Sequence, residues 1–238
     1  MADKDLFGNA LMDYYKGKKY VLSIERDDGH VDDQDSSFYF AKHDQFPESE
    51  KKALEFAKGR VLDIGVGAGR TALHLQSKGH EVVGIDISDG ILELARLRGV
   101  KKLVKMSACD LKFKKDSFDT AIAFFNNFGL CGSMDGVAKM MERLHDIIRD
   151  GGVFLAESLN PLETNLRWHL NYQKRNIARG RPPGQVTLRN RYLGKKERWW
   201  DLLLLTPDEV KKLANKTGWK IESVCDGGTM HVYVLKKA

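Results

Sequence analysis

The stretch that most constrains this chain is VLDIGVGAGR, residues 61–70, an apolar run that passes into glycine at every second position. Buried strands ordinarily end in a polar turn, whereas this one ends where the backbone carries no side chains. A strand, a glycine-rich turn and a helix together bring bare peptide and a helix N-terminus to the carboxyl edge of a sheet, and glycine supplies the positive φ angles that the turn needs. The dinucleotide fingerprint G-x-G-x-x-G uses its third glycine for close helix–strand packing. Here Gly65, Gly67 and Gly69 are followed by Arg70, with Asp63 just upstream. The loop is generous, but its spacing departs from the pyrophosphate pattern.

The flanking sequence supplies the rest of a sheet. Alternating patterns predict strand 60–64, helix 69–78, strand 81–86, helix 89–98 after Ser88, strands 102–107 and 118–124, helix 134–148 and strand 152–158. That alternation is the signature of parallel strands joined by crossover helices. VVGID and VFLAES are near-continuous apolar runs, as expected of strands covered on both faces. A helix is expected from Ser49 to a stop at Gly59, and residues 1–48 read as an N-terminal cap of short helices or loops. Residues 49–238 then form the main domain, interrupted at about 160–204 by an insert. It opens with a loop or helical excursion closed by RPPG, followed by a hairpin of QVTLRNRYL and RWWDLLLL. Thr206, Pro207 and Glu209 form a capping-box start for a late helix, and DGG links a final strand pair.

With 238 residues, 42% of them hydrophobic, the chain can bury one sizeable α/β core with an accessory piece. No run approaches the roughly 18 apolar residues of a membrane span, and MADKDLFGNA lacks the order of a signal peptide. Cys109, Cys131 and Cys225 have no metal-ligand spacing and read as reduced thiols of a cytoplasmic protein. The net charge of +6 comes from short, dispersed basic clusters, which favours a solubilising surface over a polyanion site.

The glycine loop after Asp63 resembles the first motif of the class I S-adenosylmethionine-dependent methyltransferases. The resemblance continues through GIDIS, ACDLKF, SFDTAIAFFNNFG and LHDIIRDGGVFLAES, covering about residues 55–160. It implies an α/β, doubly wound, mostly parallel seven-stranded sheet with an antiparallel last strand between strands five and six. It implies S-adenosylmethionine as cofactor, held by Asp63, Gly65, Val66, Gly67 and Gly69, with Asp86 on the ribose hydroxyls and Ile87 on the adenine face. Asp110 and Leu111 would lie at the adenine edge, and Asn126 beside the donor. By the same analogy the acceptor pocket draws on Tyr39, Asn127, Trp199 and Trp200, while Tyr39 or Arg26 would close over the donor carboxylate. His231 and Tyr233 are candidate bases, although strand alternation gives both a structural reading, and no catalytic residue is assigned. His74 and Asp119 read as structural. FFNNFG lacks the Asn-Pro-Pro-aromatic pattern of nucleobase-amine enzymes, and Cys131 follows Leu130 rather than proline, so a small-molecule acceptor is expected. Two alternatives stand beside it: an RNA methyltransferase or RNA-binding module using the basic insert, and an NAD-dependent oxidoreductase.

Overall fold

The computed structural model describes residues 5–237. The chain opens with α1 (Leu6–Tyr15), the hairpin β1 (Leu22–Arg26) and β2 (Val31–Gln34), and α2 (Glu48–Leu54). There follow β3 (Arg60–Ile64), α3 (Arg70–Ser77), β4 (Glu81–Asp86), α4 (Asp89–Leu97), β5 (Lys102–Lys105), β6 (Phe118–Ala123), α5 (Met134–Ile147) and β7 (Ile148–Leu159). The remainder is α6 (Arg167–Ala178), β8 (Gln185–Tyr192), β9 (Lys195–Lys196), β10 (Trp200–Leu203), α7 (Pro207–Lys216), β11 (Trp219–Gly227) and β12 (Met230–Lys237). No helix of the described residues is long and apolar enough to cross a membrane.

The main sheet runs β11-β12-β7-β6-β3-β4-β5. β3 pairs in parallel with β4 and β6, and β12 runs antiparallel between β7 and β11. Val61, Leu62 and Ile64 of β3 are sealed on both faces, which explains why that stretch carries no polar alternation. The chain moves outward from β3 to β5 and then returns to β6, so the strand order reverses between β3 and β6. Open α/β sheets place their ligand crevice at the carboxyl ends of such strands. Local signals hold the helices where the sequence predicts them. Ser88 caps α4 through the Ile91 N–H at 2.9 Å, Ser133 caps α5 through Gly136, and Thr206 with Glu209 closes the capping box of α7.

Two segments far apart in sequence share a second sheet, ordered β10-β8-β1-β2 with β9 added to β8. Leu22 faces Tyr192 and Arg26 faces Leu188 across the β1–β8 ladder. The N-terminal segment therefore contributes a hairpin as well as helix. Its acidic run hides the strands, because β2 is an edge strand whose residues are all exposed or half-buried. The α2 helix begins at Glu48 after Pro47 and ends at Leu54, slightly ahead of the Ser49–Gly59 expectation.

The cysteine expectation needs a correction. Cys109 and Cys131 form a disulfide with 5.6 Å between their Cα atoms, leaving only Cys225 as a free, buried thiol. The two loops that follow β5 and β6 come together in space, and a separation of 22 residues gives no hint of it.

Candidate functional site

Gly65, Gly67 and Gly69 all have positive φ, at +68°, +53° and +83°. Their surroundings differ. A Cβ on Gly65 would collide with the Asn127 side chain, and one on Gly69 would sit 2.6 Å from a Val100 methyl. A Cβ on Gly67 would meet nothing nearer than the Gly65 carbonyl at 3.9 Å, so this peptide faces open space. The loop is pinned from several directions. Gly65 and Val66 donate their N–H groups to the Ile85 carbonyl, Arg98 donates to the Ala68 carbonyl, and the Asn127 amide donates to Ile64 and Gly65 at 2.9 and 3.0 Å. Val66 itself is buried against Gly84.

Beneath the loop lies a cluster of ionisable groups. Asp63 is 5% exposed and one of its carboxylate oxygens, Oδ2, has no partner. Burial pushes its carboxyl up to about 7, against the pull of Arg70 and a hydrogen bond from the Ala72 N–H. Arg70 is buried, donates to both Glu50 oxygens at 2.6 and 2.7 Å, and lies between the rings of Phe46 and Phe125 at 4.2 and 4.1 Å. Glu157 accepts from the Phe125 N–H at 2.6 Å, and burial with repulsion from Glu50 pushes it up to about 8. The residue that breaks the dinucleotide spacing thus supplies the guanidinium of a buried acid cluster. Glu50 and Glu157 escaped the sequence analysis. The signal for Glu157 was a carboxylate inside the apolar run VFLAES.

Asp86 ends β4, one strand away from Asp63. It accepts from the Ser88 N–H at 3.0 Å and from the backbone of Gly67 and Ile87, while burial, the largest influence, pushes it up to about 6. Ile87 beside it is 68% exposed, an apolar side chain left in water at the carboxyl end of β4. Asp5 caps α1 at Gly8 and accepts from the Ser88 hydroxyl at 2.6 Å and the Gly90 N–H at 3.0 Å. At its other side α1 is held by Glu197, which accepts from the Leu6 and Phe7 N–H groups and is itself held by Asn190. The first helix therefore ties the start of α4 to the second sheet.

The other expected site residues fall in several places. Asp110 is exposed and paired with Lys112 at 2.8 Å, Leu111 is buried in the core, and both follow the disulfide at Cys109. Phe125 and Asn126 both have positive φ, at 55° and 63°, a strained conformation for two consecutive residues with side chains. Asn126 accepts from the Leu159 N–H at 2.7 Å, so its side chain fixes this bend to the end of β7. Tyr39 stacks on Phe125 with 5.4 Å between centroids and meets Phe7 edge-on at 5.2 Å, forming an aromatic wall from α1 to the end of β6. Burial pushes the Tyr39 hydroxyl up to about 12. Arg26 is held by both oxygens of Asp28 at 2.8 Å. Trp199 lies under the Arg189 guanidinium at 4.1 Å, and Trp200 faces Leu188 within the second sheet. Arg189, Arg191 and Lys196 of the insert converge on Glu25, and Arg175 pairs with Asp27. His231 lies between Glu163 and Asp226 at 3.4 and 3.3 Å, whereas Tyr233 is buried with its hydroxyl pushed up to about 12 by burial. His74 stacks on His43 at 3.8 Å, and Asp119 accepts from the Arg60 N–H and Arg149.

An unpartnered buried carboxylate oxygen, an open glycine peptide, a second carboxylate one strand away and an exposed apolar side chain together fit a ligand with a cationic group, a sugar diol and a flat base. Comparison with known proteins agrees. A family described as "Methyltransferase domain" matches residues 61–152. The phosphatidylethanolamine N-methyltransferase of Cereibacter sphaeroides is 31% identical over 158 residues, covering 57% of this chain and 75% of the relative. The ubiquinone biosynthesis O-methyltransferase of Dinoroseobacter shibae is 27% identical, covering 67% of this chain and 59% of the relative. This chain spans 61%, 75% and 52% of three of its curated relatives. A crystal structure of a SAM-dependent methyltransferase from Bacteroides fragilis, in complex with S-adenosyl-L-homocysteine, is 28% identical with a TM-score of 0.83, covering 100% of this chain and 97% of the other.

Proposed function

Because the chain belongs to the class I S-adenosylmethionine-dependent methyltransferases, we propose that the crevice over Gly67 holds S-adenosylmethionine for methyl transfer to a small-molecule acceptor. The observation that carries this reading is the open face of Gly67 between Asp63, with its unpartnered Oδ2, and Asp86. Asp63 offers that oxygen to the ammonium end of the donor, Asp86 accepts from the ribose hydroxyls, and Ile87 covers the base. Val66 and Gly65 support the loop from below. Asp110 and Leu111 form the outer edge, with the Leu111 carbonyl anchored by Arg143 at 2.9 Å. When bound, the donor supplies an electrophilic methyl carbon on a sulfonium whose leaving group needs no acid.

The protein's own contribution is therefore alignment and exclusion of water, which effective-molarity arguments value at several kcal/mol, about 7 at the low end. The Phe7–Tyr39–Phe125 wall does both, because a flat acceptor laid on it is aimed across the bend at Phe125 and Asn126. Asn127 acts on the donor side by holding the Gly65 carbonyl rather than by touching the acceptor. Trp199 and Trp200 shape the second sheet that closes the acceptor end. Arg189, Arg191 and Lys196 of the insert are paired with Glu25 and Arg175 with Asp27, so these four cations are partly neutralised within the second sheet.

A methyl-labelled donor offered to pooled phenols, quinols, amines and total RNA tests the proposal. Label in a small-molecule fraction supports it; label confined to RNA contradicts it. Tyr39→Ala should raise KM for the acceptor at least several-fold and leave donor affinity within about twofold, since one aromatic contact contributes roughly 0.5–1.5 kcal/mol.

A further inference from the structure

At one end of the second sheet, two turns lie side by side and expose apolar and basic residues together. The first is the link from α1 to β1, where residues 15–21 are all exposed, with Tyr20 at 50% and Val21 at 58%. The second is the turn between β8 and β9, where Leu193 is 57% exposed. The turns are neighbours, because Tyr20 contacts the Tyr192 ring edge-on at 6.2 Å and Leu22 faces Tyr192 in the ladder. A groove of about 300 Å³ beside them, between α1 and the β8–β9 turn, is lined by Met12, Asp13, Lys16, Leu193 and Lys195 among others.

Leu193 is the telling residue. Leu193 and Gly194 are the two central residues of a hairpin turn, and both have positive φ, at 50° and 75°. Such turns are ordinarily built from Asn-Gly or Asp-Gly, because a branched apolar residue is strained there. Leucine at this apex works against the local fold and holds its side chain in water. Strain kept at an exposed position points to a task outside folding. Around it stand Lys16, Lys18, Lys19, Lys195 and Lys196; Lys18 pairs with Asp13, Lys196 with Glu25, and Lys195 is engaged within the protein as well.

We propose that this basic, apolar-tipped end docks the protein reversibly on an anionic lipid surface, with Leu193, Val21 and Tyr20 entering the headgroup layer and the lysines facing lipid phosphates. Leu193 and Val21, two of the three tip residues, offer no stacking face to a base and Tyr20 alone provides one, so the tip suits a headgroup layer better than a run of stacked bases. Each lysine within a Debye length of an anionic leaflet strengthens attachment about fivefold, and the apolar tip adds the second signal that stable peripheral binding needs.

Co-sedimentation of the full chain with phosphatidylcholine vesicles, with and without about one third phosphatidylglycerol, tests this. Binding is expected only with phosphatidylglycerol and should fall steeply as salt is raised. Leu193→Asn suits the turn better than leucine, so it should keep or raise the melting temperature while weakening vesicle binding about tenfold. The double variant Lys18→Glu with Lys19→Glu should weaken it at least as much, with donor binding unchanged. Equal binding to neutral vesicles, no binding to either, unaltered binding by Leu193→Asn, or displacement of the vesicles by polyuridylate at low stoichiometry would each overturn the proposal.

Discussion

Asp63 and Asp86 illustrate how much of the site's chemistry depends on where a carboxyl is buried. Both are raised by burial, to about 7 and about 6, and Glu157 to about 8. Such groups favour the protonated form in the folded chain, so their stabilising contribution is complete below their unfolded values of 3.8 and 4.5 and disappears as pH rises through the folded ones. His74, lowered to about 4 by burial and then by His43, acts in the opposite sense but only below 6.5. Between pH 6.5 and 8 the acid cluster therefore dominates, and the melting temperature of the ligand-free protein should fall across that window. A rise there would contradict the buried-acid account. Donor affinity should move the other way, strengthening as Asp63 and Asp86 ionise. Asp86→Ala should weaken the donor by about 1.5–3 kcal/mol, the worth of a charged hydrogen-bond acceptor, and titration calorimetry reads it directly. The glycines separate by what surrounds them. Gly67→Ala should cost only the positive-φ penalty of about 1–2 kcal/mol in stability yet abolish donor binding, whereas Gly69→Ala should cost more because its Cβ meets Val100. These residues were legible because motif spacing and strand ends locate them. Arg70 was legible only as an exception, since nothing local to it names Glu50 twenty residues earlier as its partner.

Among the elements, α1 and the disulfide carry the most consequence for the site. The helix is fastened at its N-terminus by Asp5 and Glu197, one reaching α4 beside Ile87 and the other belonging to the insert. Glu197→Ala should free the first turn, costing about 1–2 kcal/mol as lost caps do, and should expose the segment before Tyr15 to limited proteolysis. Donor binding, which would pack against the same corner, should restore protection. The Cys109–Cys131 bond closes a loop of 22 residues that contains β6 and links the turn bearing Asp110 to the one following Asn127. Cys131→Ser should lower stability in urea by about 3 kcal/mol on the loop-closure estimate. Thiol titration of the native protein should find no reactive group, and of the unfolded protein a single one, at Cys225. Most elements were readable from periodicity and caps, as the Thr206–Glu209 box shows. The β1–β2 hairpin was not, because its exposed acidic residues erase the apolar alternation that marks a half-buried strand.

For the molecule as a whole, the alternation of strands and helices from 60–64 to 152–158 was legible in local pattern, while the arrangement of the main sheet was expected from the family resemblance. The second sheet was not legible, since its central ladder joins Leu22 to Tyr192 and no local signal states which distant strands will pair. Its assembly ties the N-terminal helix to the insert through Glu197 and to the start of α4 through Asp5, so on the proposed reading the donor and acceptor ends of the site draw on different parts of the chain. The account's central claim is that this crevice is made for a nucleoside sulfonium. Titration calorimetry of the purified protein with S-adenosylmethionine, S-adenosylhomocysteine and NAD tests it most directly. The account predicts saturable heat with the first two, lost in Gly67→Ala, and none with NAD; binding of NAD in place of the sulfonium, or silence with all three ligands, would contradict it.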